Sequence, residues 1–422
     1  MPGYSQGYYY DITAKKLYLR LRTDGKYGSS NPNLHTIKVA PSMYEYISVS
    51  GGWGGGAWCG NAMGRDSYNI CIGEYEGSKP EIETRAPSYY VEIDGFTFET
   101  PGYAGVFCRA SNIVIRNCFF LGCRTGVRGA ARVRKDDLIY SDNILIEHCD
   151  YSQFPVYDDA VGLICDYVEN PALYNKYVDE NGVRYGLDSF FWWQRKNANK
   201  SFNYESGGFT NFMGENWTIR YNYIHDCFDG ISYQAMQKYE NADGVEQGSK
   251  MIKIYGNKFE KCLDNAIEFE NHGTDIRVYE NYFYNNFVPV SWQPLGGTPW
   301  PTNIRFYKNV IHNTRDFNQF WKNNANFTNY VFKFGVNKSN WQNHSWMSDV
   351  EWDEEYDIPD IENIPAADEG VWIFNNTIVS PESKLFSNVG GSNMSRIPFF
   401  NFRFVNNAVI TAFSNVDGVF SQ

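Results

Sequence analysis

One recurring phrase limits what this chain can fold into more than any other feature. It is plainest from Ile252 to Cys262, I-K-I-Y-G-N-K-F-E-K-C, where apolar residues alternate up to an Asn and another follows two places later. The phrase returns as Trp217, Ile219, Asn222, Ile224; as Ile276, Val278, Asn281, Phe283; and as Ile304, Phe306, Asn309, Ile311. Further rows are Val91 to Phe98, Ile113 to Phe120, Ile144 to Tyr151, Val371 to Ile378 and Phe402 to Val409, which makes nine. Alternation with period two marks a short strand with one buried face. Its return at irregular intervals marks stacked equivalent coils, a solenoid, instead of one sheet folded once. The Asn after each strand is read as the corner residue, tolerant of left-handed backbone, with its amide hydrogen-bonded from coil to coil. Cys118, Cys149 and Phe96 hold that place in three rows and are expected to fill the same inward slot.

From corner to corner the spacings are 22, 31, 73, 35, 24, 28, 67 and 31 residues. The short spacings approach one coil, and the two long ones predict insertions at about 165–214 and 315–369, rich in Trp and Tyr; loops of that size on a rigid scaffold usually carry function. Residues 1–88 are assigned to an N-terminal cap and first coil, with two strands between Tyr8 and Ala40 around the polar D-G-K-Y-G-S-S-N-P turn. The remainder, 89–422, is the helix of coils with its insertions. The Gly51 to Gly60 stretch lacks the Lys-Ser/Thr and the helix pattern of a phosphate loop and reads as an aromatic loop. The acidic run Asp349 to Asp357 reads as a solvated face.

Charge and composition narrow the function. With 37 Lys plus Arg against 49 Asp plus Glu the net charge is −12, which opposes nucleic-acid binding. The basic run Arg128, Arg132, Arg134, Lys135 is a local exception. Aromatic residues form 18% of the chain, more than a core needs, so many are expected on the surface as platforms for sugar rings. Of nine cysteines, Cys123, Cys227 and Cys262 share one place in three rows and are expected as a buried stack of free thiols. No Cys or His pattern suggests zinc, and no apolar run is long enough to span a membrane. The start Met1-Pro2-Gly3 lacks the regions of a signal peptide. The expected address is secreted, periplasmic or cell-surface, with the leader not present in this chain.

These rows, from Val91 onward, resemble the right-handed parallel β-helix superfamily, which includes pectate lyases, polygalacturonases and other polysaccharide-degrading families. The resemblance implies an all-β, right-handed parallel β-helix of roughly ten coils, and a groove along one sheet that holds a polysaccharide or oligosaccharide. A monomer is expected.

A second strand follows each corner, at Gly126-Val127-Arg128, Ala160-Val161-Gly162, Gly230-Ile231-Ser232, Ala266-Ile267-Glu268 and Pro289-Val290-Ser291. If the apolar middle residue points in, its neighbours point out. That gathers Asp159, Asp229, Glu268 and Glu270 as candidate catalytic carboxylates, since glycosidic hydrolysis needs one acid and one nucleophile or base. Arg128, Gln234, His272, Trp192, Trp193, Trp292 and Gln293 are the candidate substrate contacts. His225 reads as structural. No cofactor is required. Calcium is possible in the competing reading, a lyase or uronate epimerase, which needs a cation and a Lys, Arg or His base. A glycan-binding protein without catalysis is the third class.

Overall fold

The computed structural model describes residues 7–11, 13–14, 16–20, 31, 68–72, 90–99, 104–108, 110–129, 132–134, 137–139, 141–153, 208–232, 239–240, 246–247, 249–262, 264–269, 273–292, 302–319, 329–334, 352–353, 358–359, 370–388 and 402–411. Three nine-stranded sheets, each parallel throughout, run the length of the described chain. The chain visits them in turn, so the molecule is a right-handed parallel β-helix.

The nine repeat rows supply the first two sheets. In the row at Ile252, Ser249–Tyr255 lies in the first sheet and Lys258–Cys262 in the second. Register is exact from coil to coil: Ile252 pairs with Ile276 and Ile276 with Ile304, while Phe259 pairs with Phe283 and Phe283 with Ile311. All six are buried in one continuous core. Phe259 and Phe283 stack with ring centroids 4.8 Å apart, one coil on the next.

The corner Asn residues form the expected ladder. Asn257 Nδ2 donates to Asn281 Oδ1 at 3.0 Å, and Asn281 Nδ2 to Asn309 Oδ1 at 3.0 Å. Each Oδ1 also accepts the main-chain N–H of the preceding corner residue. The ladder runs from Asn222 to Asn407, and Cys118 and Cys149 extend it as buried thiols. Two details of the corner differ from expectation. Left-handed backbone belongs to the residue before the ladder Asn, as at His148, Tyr221, Gly256, Glu280 and Lys308. The two roles given to one Asn are thus split between neighbours, because the ladder amide must point inward while the chain bends just before it. Phe96 does not fill the inward slot either; at the first corner it is 52% exposed.

The third sheet was only partly legible. Its strands are Tyr68–Ile72, Ala104–Cys108, Thr125–Gly129, Gly208–Asn211, Ile231–Ser232, Asn265–Glu268, Val288–Trp292, Tyr330–Phe334 and Lys384–Asn388. Gly208–Asn211 pairs with Thr125–Gly129 and with Ile231, the slot expected for Ala160 to Gly162. Gly208–Asn211 and Tyr330–Phe334 both fall inside the segments expected as insertions. Within residues 1–88, Tyr68–Ile72 pairs with Ala104–Cys108. The N-terminal hairpin joins Gly7–Asp11 to Lys16–Arg20, an earlier turn than expected. Asp11 closes it, its carboxylate accepting the N–H groups of Thr13 and Ala14.

Cys108, Cys118, Cys123, Cys149, Cys227 and Cys262 are buried thiols outside any disulfide. Cys227 and Cys262 are register partners with sulfurs 3.6 Å apart, a contact between thiols.

Candidate functional site

Along the third sheet Val127, Thr210, Ile231, Ile267, Val290 and Phe332 stand in one register. All are fully buried, and every one except Thr210 belongs to the core cluster. The residue before each packs inward as well, against expectation. Phe209, Ala266 and Val331 are core residues, and a Cβ on Gly126 would stand 2.8 Å from the Phe209 ring. Where glycine holds that place, at Gly105, Gly126 and Gly230, it leaves room for the second-sheet rings of Phe120, Tyr151 and Phe259.

The residue after each apolar position alternates to the other face. This column reads Phe107, Arg128, Asn211, Ser232, Glu268, Ser291, Lys333. It is polar from Arg128 onward, yet Arg128 is 8% exposed, Glu268 5%, and Asn211, Ser232 and Ser291 are fully buried. Burying such groups costs free energy unless they are paired, so a row of them on one face of one sheet marks the candidate site.

Glu268 sits at its centre. Oε2 accepts from Ser232 Oγ at 3.0 Å and Oε1 from Asn265 Nδ2 at 3.1 Å. On the next coil Ser291 Oγ is buried without a hydrogen-bond partner, as is Asn265 Oδ1. Asn265 also faces Asp229, whose Oδ1 lies 3.4 Å from Nδ2 and accepts the Asn265 main-chain N–H at 3.2 Å. Asp229 is 1% exposed and shares the strand parity of Ile231, so it stands at the corner and not in the outward column where it was expected. The corner Asn residues accept a main-chain N–H from the preceding coil, and Asp229 accepts one from the following coil. Asp229 therefore orients Asn265, and Asn265 orients Glu268. Through that amide the nearest oxygens of the two carboxylates are separated by at most about 6.5 Å, below most of the span used by inverting glycosidases.

Arg128 lies three coils away in the same column. Its guanidinium carbon is 4.4 Å from the Phe212 ring centroid and 5.3 Å from that of Phe107, a flat cation between two aromatic groups. On the other side of Glu268, beyond Ser291, stands Lys333, with Nζ 3.8 Å from Asp264 Oδ1. A second basic residue thus shares the column with the carboxylate, on the opposite side of Glu268 from Arg128. Lys333, Asn211 and Asn265 were missed. The Y-V-F-K-F alternation at Tyr330–Phe334 was the available signal for Lys333, hidden within the 67-residue spacing.

Of the remaining candidates, Asp159, Glu270, Trp192, Trp193, Gln234, His272 and Gln293 lie outside the described residues. Trp292 ends its strand opposite Phe334. Among the described residues no three His, Cys, Asp or Glu side chains converge as a metal cage, and no helix is long and apolar enough to cross a membrane.

His225 lies on the second sheet, apart from this column. Nδ1 is 2.7 Å from Asp226 Oδ2 and Nε2 is 3.1 Å from Asp150 Oδ1. Burial disfavours its charge, but hydrogen bonds to the two carboxylates outweigh burial and raise its pKa to about 9. It is an ion-pair centre, in keeping with the structural reading.

Fold and site together define a parallel β-helix protein with a buried polar column on one sheet. No protein-family model matches the sequence, and no curated protein matches it. Among solved structures the chain is similar to an exopolygalacturonase from Thermotoga maritima, at 10% identity and a TM-score of 0.31, over 73% of this chain and 51% of that one. It is similar also to the tailspike protein of E. coli bacteriophage HK620 in complex with a pentasaccharide, at 10% identity and TM-score 0.33, over 97% and 61%. The A-module of a mannuronan C-5 epimerase from Azotobacter vinelandii matches at 11% identity and TM-score 0.19, over 76% and 78%. The chain thus spans about half the length of the first of these proteins and 61% of the second.

Proposed function

We propose that the protein is a carbohydrate-active enzyme, a glycoside hydrolase whose reaction centre is built on Glu268. One observation carries the reading: a buried carboxylate, held by Ser232 and Asn265, stands mid-column among polar groups, with the unpartnered Ser291 hydroxyl on the next coil. Both oxygens of Glu268 accept hydrogen bonds, which suits the nucleophile or general base of the pair better than the proton donor. Asp229 acts through Asn265 as a positioning residue. The proton donor is drawn from Asp159 or Glu270. The glycan lies along the column, and Arg128 binds it some way from the reacting bond.

A second reading, a lyase or uronate epimerase, is favoured by one observation: Lys333 shares the column with Glu268 and could serve as the base at the carbon next to a carboxylate.

Assay of a glycan panel separates the readings. Reducing-sugar release that falls about a hundredfold in Glu268→Gln, with an unchanged thermal transition, supports hydrolysis. New absorbance at roughly 235 nm from an unsaturated uronate, lost in Lys333→Ala, supports the lyase. A Glu268→Gln rate within about threefold of wild type sinks the hydrolase assignment.

A further inference from the structure

The outer face of the first sheet carries a second pattern, remote in role from the column above. Between the inward residues of three successive coils stand Lys253 and Tyr255, Arg277 and Tyr279, Arg305 and Tyr307. Lys253 is the register partner of Arg277 and Arg277 of Arg305; the tyrosines pair likewise. Three cations therefore lie side by side, one strand spacing of about 4.8 Å apart, in a chain whose net charge is −12. Like charges directly opposite in a sheet are destabilising, and Lys253 and Arg277 are exposed. The Asp275 carboxylate lies 3.7 Å from Arg277 in a surface pair, which offsets little, and half-buried Arg305 is held in place by Nε donating to Asn303 Oδ1 at 3.0 Å.

The tyrosines beside them are not sugar platforms. Tyr255 and Tyr279 stack with centroids 4.8 Å apart and planes within 9°, and Tyr279 and Tyr307 at 5.2 Å and 11°. Phe374 continues the stack 5.0 Å beyond Tyr307. Each ring covers its neighbour's face, so the column presents edges and hydroxyls to solvent. Burial raises the Tyr279 pKa above its ordinary value. The result is a row of donors beside a row of cations, both repeating at the strand spacing.

We infer that this face is a binding surface for an acidic polysaccharide, which runs along the helix axis with its carboxylates on Lys253, Arg277 and Arg305. A pyranose unit advances a glycan chain by a length close to the strand spacing, so successive anionic residues can meet successive coils. Recognition is by charge and hydroxyl hydrogen bonds, not by ring stacking. The inference stands apart from the proposed reaction on the third sheet.

The test is affinity electrophoresis of the full chain in gels containing polygalacturonate, with neutral dextran as control. Polygalacturonate should retard the wild type at low salt, and retardation should fade as salt screens exposed charges. Lys253→Gln, Arg277→Gln and Arg305→Gln combined should weaken binding by about tenfold or more, while Lys16→Gln in the N-terminal hairpin leaves it unchanged. A double variant, Lys253→Gln with Arg277→Gln, gives an intermediate loss and serves if the triple variant unfolds. Retardation that survives the substitutions, or is lost equally in Lys16→Gln, overturns the inference. So does preference for single-stranded DNA over polygalacturonate, which would mark a nucleic-acid surface.

Discussion

Asn281 and Glu268 are both buried polar residues on the edge of a coil, and their hydrogen bonds separate their roles. The Asn281 amide donates to the carbonyls of Ile254 and Tyr279 and to Asn309, and accepts from the Asn257 main chain. Removing it strands partners on both neighbouring coils, and each buried unsatisfied group costs about 1–3 kcal/mol. Asn281→Ala should therefore lower unfolding stability by roughly 2 kcal/mol or more in urea titration, with little effect on activity beyond that loss. Glu268→Gln should do the reverse, because the amide has nearly the same shape and keeps one acceptor for Ser232 or Asn265. A smaller stability loss in Asn281→Ala than in Glu268→Gln would contradict this division. His225 gives a pH signature. Its folded pKa of about 9 lies above the unfolded value, so its contribution is complete below the unfolded pKa, near 6.5, and is lost as pH rises through 9. The thermal transition of the wild type should fall more between pH 7 and 10 than that of His225→Gln. Equal falls would show that the ion-pair centre contributes nothing.

At the scale of the element, the third sheet shows how one small residue per coil sets the cross-section. A Cβ on Gly126 would meet the Phe209 ring and the Phe209 carbonyl oxygen, each at 2.8 Å. Gly126→Ala should destabilise by about 1–3 kcal/mol through overpacking, whereas exposed Arg277→Gln should lie within about 0.5 kcal/mol of wild type. Comparable midpoints in urea would mean that the sheets slide apart at no cost. The same crowding explains why the strand Gly208–Asn211 escaped recognition. Its inward residue is Thr210 and its neighbour Phe209 also points in, so it lacks the apolar alternation that marks the first two sheets.

At the scale of the whole molecule, each coil contacts only its neighbours, so stability is a sum of similar stacking terms. The coils from Trp217 to His312 combine the Asn ladder, the Phe259–Phe283 stack and the Tyr255–Tyr307 stack. Amide hydrogen exchange should be slowest there and faster toward Val91–Asp94 and Ala408–Thr411; uniform protection along the axis would refute this. The sequence alone determined the coil, its corner ladder and the buried thiols, because each depends on a local alternation repeated often enough to exclude chance. The tertiary structure decided what no local pattern carries. Left-handed backbone before the ladder falls on Gly95, Asn117, Gly256, Asn375 and Asn406, which favour it, but also on His148, Tyr221, Glu280 and Lys308, where coil stacking imposes the bend against residue type. Asp229 stands at the corner and not on the outward surface because it shares the inward parity of Ile231, and there its carboxylate accepts the main-chain N–H of Asn265 on the next coil. Lys333 joined the column of Glu268 only through pairing between coils, since 65 positions separate them in the chain while one intervening strand separates them in the sheet.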